Sequence, residues 1–197
     1  MPKIIDDYTI FQKSIQKLIE KGYAGATTKT IAAEVGISEV TLFRRYGNKS
    51  ELIKRAVKSA VETSAFNSAS SFTGDVEADL LRVVIAYQEL ADRGGRFLPA
   101  LIAEIPRYPE LSDLLETPYD MVNKIGKLIA IYQNKGILKQ EHPVHAVAGL
   151  LGPLNIASMI QQVPTKQSFP PFDPKTHVRH YLSGRVISES RQTQGLG

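Results

Sequence analysis

Two adjacent arginines, Arg44 and Arg45, sit in a stretch that otherwise reads as short helices. A guanidinium is a rigid fork of donors that matches the paired acceptors of a guanine edge or a phosphate. Successive residues on a helix point about 100° apart, so the pair cannot share one task. Arg44 is expected to read a base or a phosphate, and Arg45 to lie nearer a nucleic-acid backbone. Other chemistry-bearing groups are sparse. His142 and His145 are three apart, as are His177 and His180, which puts two imidazoles on one helical face. A closed zinc site takes four ligands, and no cysteine or nearby acid completes either pair, so neither a metal nor a cofactor is expected. Glu104, within LIAEI, could meet a cationic or hydroxylated ligand in an apolar pocket. It could equally sit on the exposed side of a short helix or pair with Arg107. Gly-rich phosphate loops, nucleophile elbows and His-Glu-x-x-His patterns are absent, which argues against an enzyme.

The arginines need a scaffold, and Thr27 to Leu52 supplies one. Thr28 can cap a helix over 28–35, where Ile31, Ala32 and Val35 share an inward face. Gly36 follows the last apolar residue, where a left-handed turn favours a residue without Cβ. Ser38 can cap a second helix over 39–46 carrying Leu42, Phe43 and Tyr46, and Asn48 with Glu51 resembles a capping box for a third. Helix, glycine turn, helix is the helix-turn-helix shape whose second helix enters the DNA major groove. Ahead of it, a helix from about Tyr8 to Lys21 has Phe11, Ile15, Leu18 and Ile19 inward, with Asp6 or Asp7 as cap and Gly22 as terminator. Lys13, Lys17 and Lys21 read as its solvated face.

The order and spacing from Gly22-Tyr23 through Thr28, Ile31-Ala32, Gly36-Ile37-Ser38, Thr41-Leu42-Phe43, Tyr46 and Lys49 to Leu52 resemble the DNA-binding domain of the tetracycline-repressor (TetR) family. The resemblance is sharp over roughly 8–60 and extends beyond only as a helical layout. It implies a contact surface on Glu39, Val40, Thr41, Phe43, Arg44 and Arg45, with phosphate contacts at Thr28, Lys29 and Lys49. The family usually has Tyr where this chain has Phe43, which removes a hydroxyl from phosphate contact, and Phe where this chain has Tyr46. It also implies a twofold homodimer on a double-stranded DNA operator, closed by the last two helices, and a small-molecule effector bound by the C-terminal helices. Tyr87, Phe97, Leu101, Met121, Ile125 and Tyr132 are of a kind and region to line such a pocket beside Glu104.

Composition agrees. The 197 residues carry a net charge of +4, all of it in residues 1–64, where 11 Lys and Arg face 7 Asp and Glu. A basic segment supplies the phosphate attraction that nucleic-acid binding needs. Absence of cysteine suits a reducing cytoplasm, and Asp6 and Asp7 stand where a signal peptide would be apolar. The apolar run Val144–Ile160, interrupted by His145, Gly149, Gly152, Pro153 and Asn155, is read as a buried helix rather than a membrane span. Further helices are expected over Asp75–Arg93, Phe97–Ile105, Leu111–Asn134, Pro143–Gln162 and Lys175–Ser190. Asp75, Glu77 and Asp79 would complement the first of these at its positive end. The expected fold is all-α: a three-helix head over 1–50, then a helical effector and dimerisation domain over 51–197. The expected protein is a cytoplasmic, ligand-responsive repressor. The rivals are a DNA-binding or architectural protein without a small-molecule ligand, and a small helical enzyme.

Overall fold

A computed structural model describes residues 5–63, 65–92, 97–161 and 170–187, without the side chains of 67 and 97–100. Among the described residues, ten α-helices run in order: α1 Asp7–Gly25, α2 Thr28–Val35, α3 Glu39–Tyr46, α4 Lys49–Glu62, α5 Phe66–Ala69, α6 Val76–Leu90, α7 Phe97–Glu104, α8 Glu116–Asn134, α9 Pro143–Gln161 and α10 Pro174–Ser183. A 3-10 helix, Pro109–Leu115, precedes α8. Leu138 and Val186 form an isolated antiparallel bridge. The expected break at Gly94-Gly95, most of the Pro164–Pro174 connection and the tail from Gln192 lie outside the described residues, while the last helix, expected to reach Ser190, ends at Ser183 and is followed by a turn and the Val186 bridge.

Two compact units form. The first holds 1–67 and 86–121, and the second holds 68–85 and 122–197, so α6 and α8 each divide between them. The first unit carries α4, α7 and the 3-10 helix together with the three helices of the expected head. Ile10, Ile15 and Leu18 of α1, Ile31 and Val35 of α2, Leu42 and Tyr46 of α3, and Leu52, Ile53, Ala56 and Val57 of α4 share one core with Leu101, Leu111 and Leu114. Burial of such aliphatic side chains stabilises each by roughly 1.5–3 kcal/mol.

Local rules place the helices. Asp6 Oδ1 accepts from the Thr9 amide at 2.6 Å and opens α1. Thr27, not Thr28, caps α2, its hydroxyl accepting from Thr30 N–H at 3.1 Å. Ser38 Oγ accepts from Thr41 N–H at 3.1 Å and Asn48 Oδ1 from Glu51 N–H at 2.9 Å. Gly36 turns left-handed at φ 78°, and its N–H and that of Ile37 return to Ala32 O at 2.9 and 3.0 Å. Gly22 breaks α1 at φ 66°.

In the second unit, Asp79 is fully buried. Its carboxylate accepts from Thr73 N–H at 2.8 Å, Thr73 Oγ1 at 2.5 Å, Arg82 Nη2 at 2.6 Å and Tyr132 Oη at 2.5 Å. Burial pulls its pKa upward, but these donors outweigh it and hold the carboxyl below its usual range. Asp79 is thus an internal tie and not part of a surface charge cluster at the start of α6. The signal was present: Asp79 lies beside Leu80, three residues before Arg82 and four before Val83, among apolar positions of α6.

Among the described residues, α9 alone is long and apolar enough to cross a membrane, and 28% of its most apolar window is buried. The expectation of a buried helix is corrected accordingly. Ala146, Val147, Leu150, Leu151 and Leu154 face the core, while Val144, Ile156, Met159 and Ile160 are exposed. Helix α10 is joined to α9 by His177 at 2.7 Å from Leu150 O and by Tyr181 Oη donating to Ala146 O at 3.1 Å.

Candidate nucleic-acid interface

The face of α3 turned away from the core is built from Val40, Phe43, Arg44 and Arg45, all exposed, while Leu42 and Tyr46 anchor the opposite side at 1% and 4% exposure. The spacing that buries 42 and 46 forces 40, 43 and 44 outward. Arg44 and Lys29 make no ion pair or hydrogen bond with any described residue. They are held out to solvent by rigid short helices, as a polyanion reader requires.

Neighbouring residues of the expected surface are committed elsewhere. Arg45, expected near a nucleic-acid backbone, already has partners within the chain. Its Nη1 donates to Ile5 O at 2.7 Å and its Nη2 pairs with Asp7 at 2.8 Å. Tyr46 Oη also donates to Asp7, and burial followed by that bond pushes its pKa well up. Arg45 and Tyr46 thereby clasp the start of α1 to the end of α3. Ile5 is not singled out by the sequence, and Asp7 only as a possible cap of α1, because these partners are about forty positions apart.

Lys49, expected to meet a phosphate, likewise has a partner within the chain. Its ammonium donates to Tyr23 O at 2.8 Å and lies 3.7 Å from the Tyr23 ring centroid. A cation at the first position of a helix faces the positive end of the dipole. The carbonyl and the ring face offset that cost. Burial lowers the Lys49 pKa, countered in part by Glu110 and Glu104. Tyr108 packs at a tilt against the same Tyr23 ring, with centroids 5.4 Å apart.

Thr28 donates its hydroxyl to Glu39 Oε1 at 2.6 Å, and Thr41 Oγ1 lies 2.8 Å from Ser38 Oγ. The first bond ties α2 to α3, and the second is local to the N-terminal turn of α3. Lys13 and Lys17 pair with Glu34 at 3.4 and 2.8 Å. Those bonds raise the Lys17 pKa, Glu34 being the larger cause, and lower that of Glu34. The solvated-face reading of that side of α1 needs this refinement: two of its three lysines tie α1 to α2.

The residues chosen from sequence for an effector are dispersed. Leu101 belongs to the head core at 1% exposure. Glu104 is set against α1, where a Cβ on Gly22 would come 3.0 Å from its Oε1. Tyr87 and Met121 are buried in the first unit, Ile125 and Tyr132 in the second, and the Tyr132 hydroxyl is spent on Asp79. Phe97 opens α7, with its side chain outside the described residues. His142 and His145 stack at 5.6 Å, and no group of three metal-ligating side chains occurs among the described residues.

Comparison with known proteins agrees with this geometry. The profile of "Bacterial regulatory proteins, tetR family" matches residues 10–56. An HTH-type transcriptional regulator of Bacillus subtilis, YvkB, is 25% identical over 66% of this chain and 69% of its own length. A DNA-binding transcriptional repressor, TetR, of Mycobacteroides abscessus is 30% identical over 59% of this chain. The chain spans 56% of that relative's length. Among solved structures, the fatty acid degradation regulator FadR of Bacillus halodurans superposes with a TM-score of 0.66 at 17% identity, over 93% of this chain and 95% of that one. The Thermus thermophilus regulator PfmR gives 0.65 at 17% identity, over 88% and 94%.

Proposed function

Because the chain belongs to the tetR family of bacterial regulatory proteins and is a transcriptional regulator with a helix-turn-helix head, we propose that it is a cytoplasmic repressor that binds a pseudo-palindromic operator as a homodimer. The observation that carries this is the outward face of α3, where Arg44 is exposed and uncommitted beside exposed Val40 and Phe43. Arg44 reads a guanine edge, since its fork matches O6 and N7. Lys29 and the first-turn amides of α2 and α4 meet phosphates. Arg45, Lys49 and Thr28 act one step back, by fixing the reading helix against its neighbours.

The exposed apolar side of α9, with Ile156, Met159 and Ile160, is the surface for the second copy. A twofold dimer places two α3 helices on half-sites about one helical turn apart. A small apolar or amphipathic effector then favours a dimer geometry that no longer fits those half-sites, which requires that it bind the two states unequally. The relatives' names support regulation and DNA binding, and the effector class rests on the family resemblance.

The test is equilibrium binding to the DNA upstream of its own gene at two salt concentrations. Wild type should bind one fragment tightly, and more weakly at higher salt. Arg44→Ala should lose about 1–3 kcal/mol of specific binding, roughly 5- to 150-fold. Equal binding of all fragments by wild type would replace the operator reading with an architectural role.

A further inference from the structure

The reading face of α3 is unusual in being half apolar: Val40 is 77% exposed and Phe43 60%. Residues three apart on a helix have Cβ atoms about 5–6 Å apart, and bases along one strand rise about 3.4 Å. The two side chains thus span one to two base steps. The polar groups beside them each already have a partner within the chain. Glu39, the natural acceptor for a cytosine amino group, takes the Thr28 hydroxyl at 2.6 Å. Thr41 Oγ1 lies against Ser38 Oγ at 2.8 Å, and Arg45 is bound to Ile5 O and Asp7. Val40, Phe43 and Arg44 are the exposed side chains of α3 without a hydrogen bond or ion pair to a described residue. The only apolar group a base pair shows in the major groove is the thymine 5-methyl.

Resting on the reading that α3 enters a major groove, we propose that Val40 and Phe43 form an apolar patch specific for thymine 5-methyl groups. The half-site then carries one or two thymines next to the guanine met by Arg44. Phe43, which lacks the hydroxyl that would direct it to a phosphate, serves base selection, and each methyl it or Val40 covers contributes about four-fold in affinity.

The experiment selects duplexes from a random-sequence pool with the full-length wild-type protein. It then measures Kd for the tightest duplex with each thymine replaced in turn by uracil, which removes only the methyl. Wild type should weaken about four-fold at one or two positions per half-site. In Val40→Ala or Phe43→Ala that uracil penalty should vanish at one of those positions, while thermal unfolding stays at the wild-type midpoint because both side chains face solvent. A bound duplex that tolerates uracil everywhere overturns the thymine patch and leaves DNA reading intact. A penalty that persists unchanged in both variants also overturns it. If no duplex is enriched, DNA reading itself falls, and the patch with it.

Discussion

Removing the carboxylate of Asp79 should be among the most damaging single changes in the second unit. Asp79→Ala takes one acceptor group away from three residues at once. Thr73 N–H and the Tyr132 hydroxyl would remain as donors without it, and the carboxylate they served is fully buried. Each orphaned donor costs about 1–3 kcal/mol. Arg82, whose side chain is 38% exposed, can return to water and keep its bond to Ser71 O at 2.8 Å. The total is about 3–5 kcal/mol, the usual range for removing one partner of a buried charged network. Tyr132→Phe removes one bond to a charged acceptor, about 1.5–3 kcal/mol, and keeps the ring that stacks on Phe72 at 5.0 Å. Arg82→Ala should cost about 1 kcal/mol or less, as a partly exposed ion pair. Urea unfolding at one fixed protein concentration, followed by far-UV circular dichroism, gives the three values. The Asp79→Ala and Tyr132→Phe double variant should recover about 1–3 kcal/mol of coupling. An Asp79→Ala protein within about 1 kcal/mol of wild type, or an Arg82→Ala protein as damaged as Asp79→Ala, would refute the reasoning.

Four other outcomes can be checked. Gly36→Ala should cost about 1 kcal/mol through its left-handed φ of 78° alone, since its Cβ would meet nothing within 4 Å; Gly22→Ala should cost more, because its Cβ also meets Glu104 Oε1 at 3.0 Å, and Glu104→Ala should restore part of the thermal midpoint. Lys49→Ala should lower head stability by urea unfolding while leaving the salt slope of DNA binding nearly unchanged, whereas Lys29→Ala should reduce that slope by about one. Stability should fall at both pH extremes in urea titrations. The lowered pKa values of Asp6, held by the Thr9 amide, and Asp173, held by the Thr176 hydroxyl, contribute stability that is complete above about pH 4 and lost as pH drops through their folded values. Burial raises Tyr181 to about 12, so its contribution is present below pH 10 and disappears as pH rises toward that value. Ile156→Glu or Met159→Glu should convert the proposed dimer to monomer in sedimentation velocity, and a species distribution unchanged from wild type would overturn α9 as its interface.

Local chemistry determined much of this molecule from sequence. Spacing of Ile31, Ala32 and Val35, Ser38 ahead of 39–46, and a glycine at 36 bounded α2 and α3 at their observed ends. The same logic explains Arg44, because a side chain two positions from both Leu42 and Tyr46 on so short a helix has to face solvent. One local choice still went astray: Thr27 and Thr28 are both acceptable caps, and only the backbone turn selects the first. The helical character of the later chain was legible too, through its prolines and glycines.

Tertiary structure alone decided what long side chains do. Lysine and arginine reach several ångströms, so their roles depend on carbonyls, rings and carboxylates brought close by folding. Lys49 finds Tyr23 from 26 positions away, and Arg45 finds Ile5 from 40. The partnership of Asp79 with Tyr132 spans 53 positions. The outward apolar side of α9 was hidden for the converse reason: an apolar run shows that burial is favourable, but not which neighbour, in this chain or another copy, provides it. Sequence periodicity records the face a helix turns inward; only the assembled neighbours determine which charges are left to meet DNA.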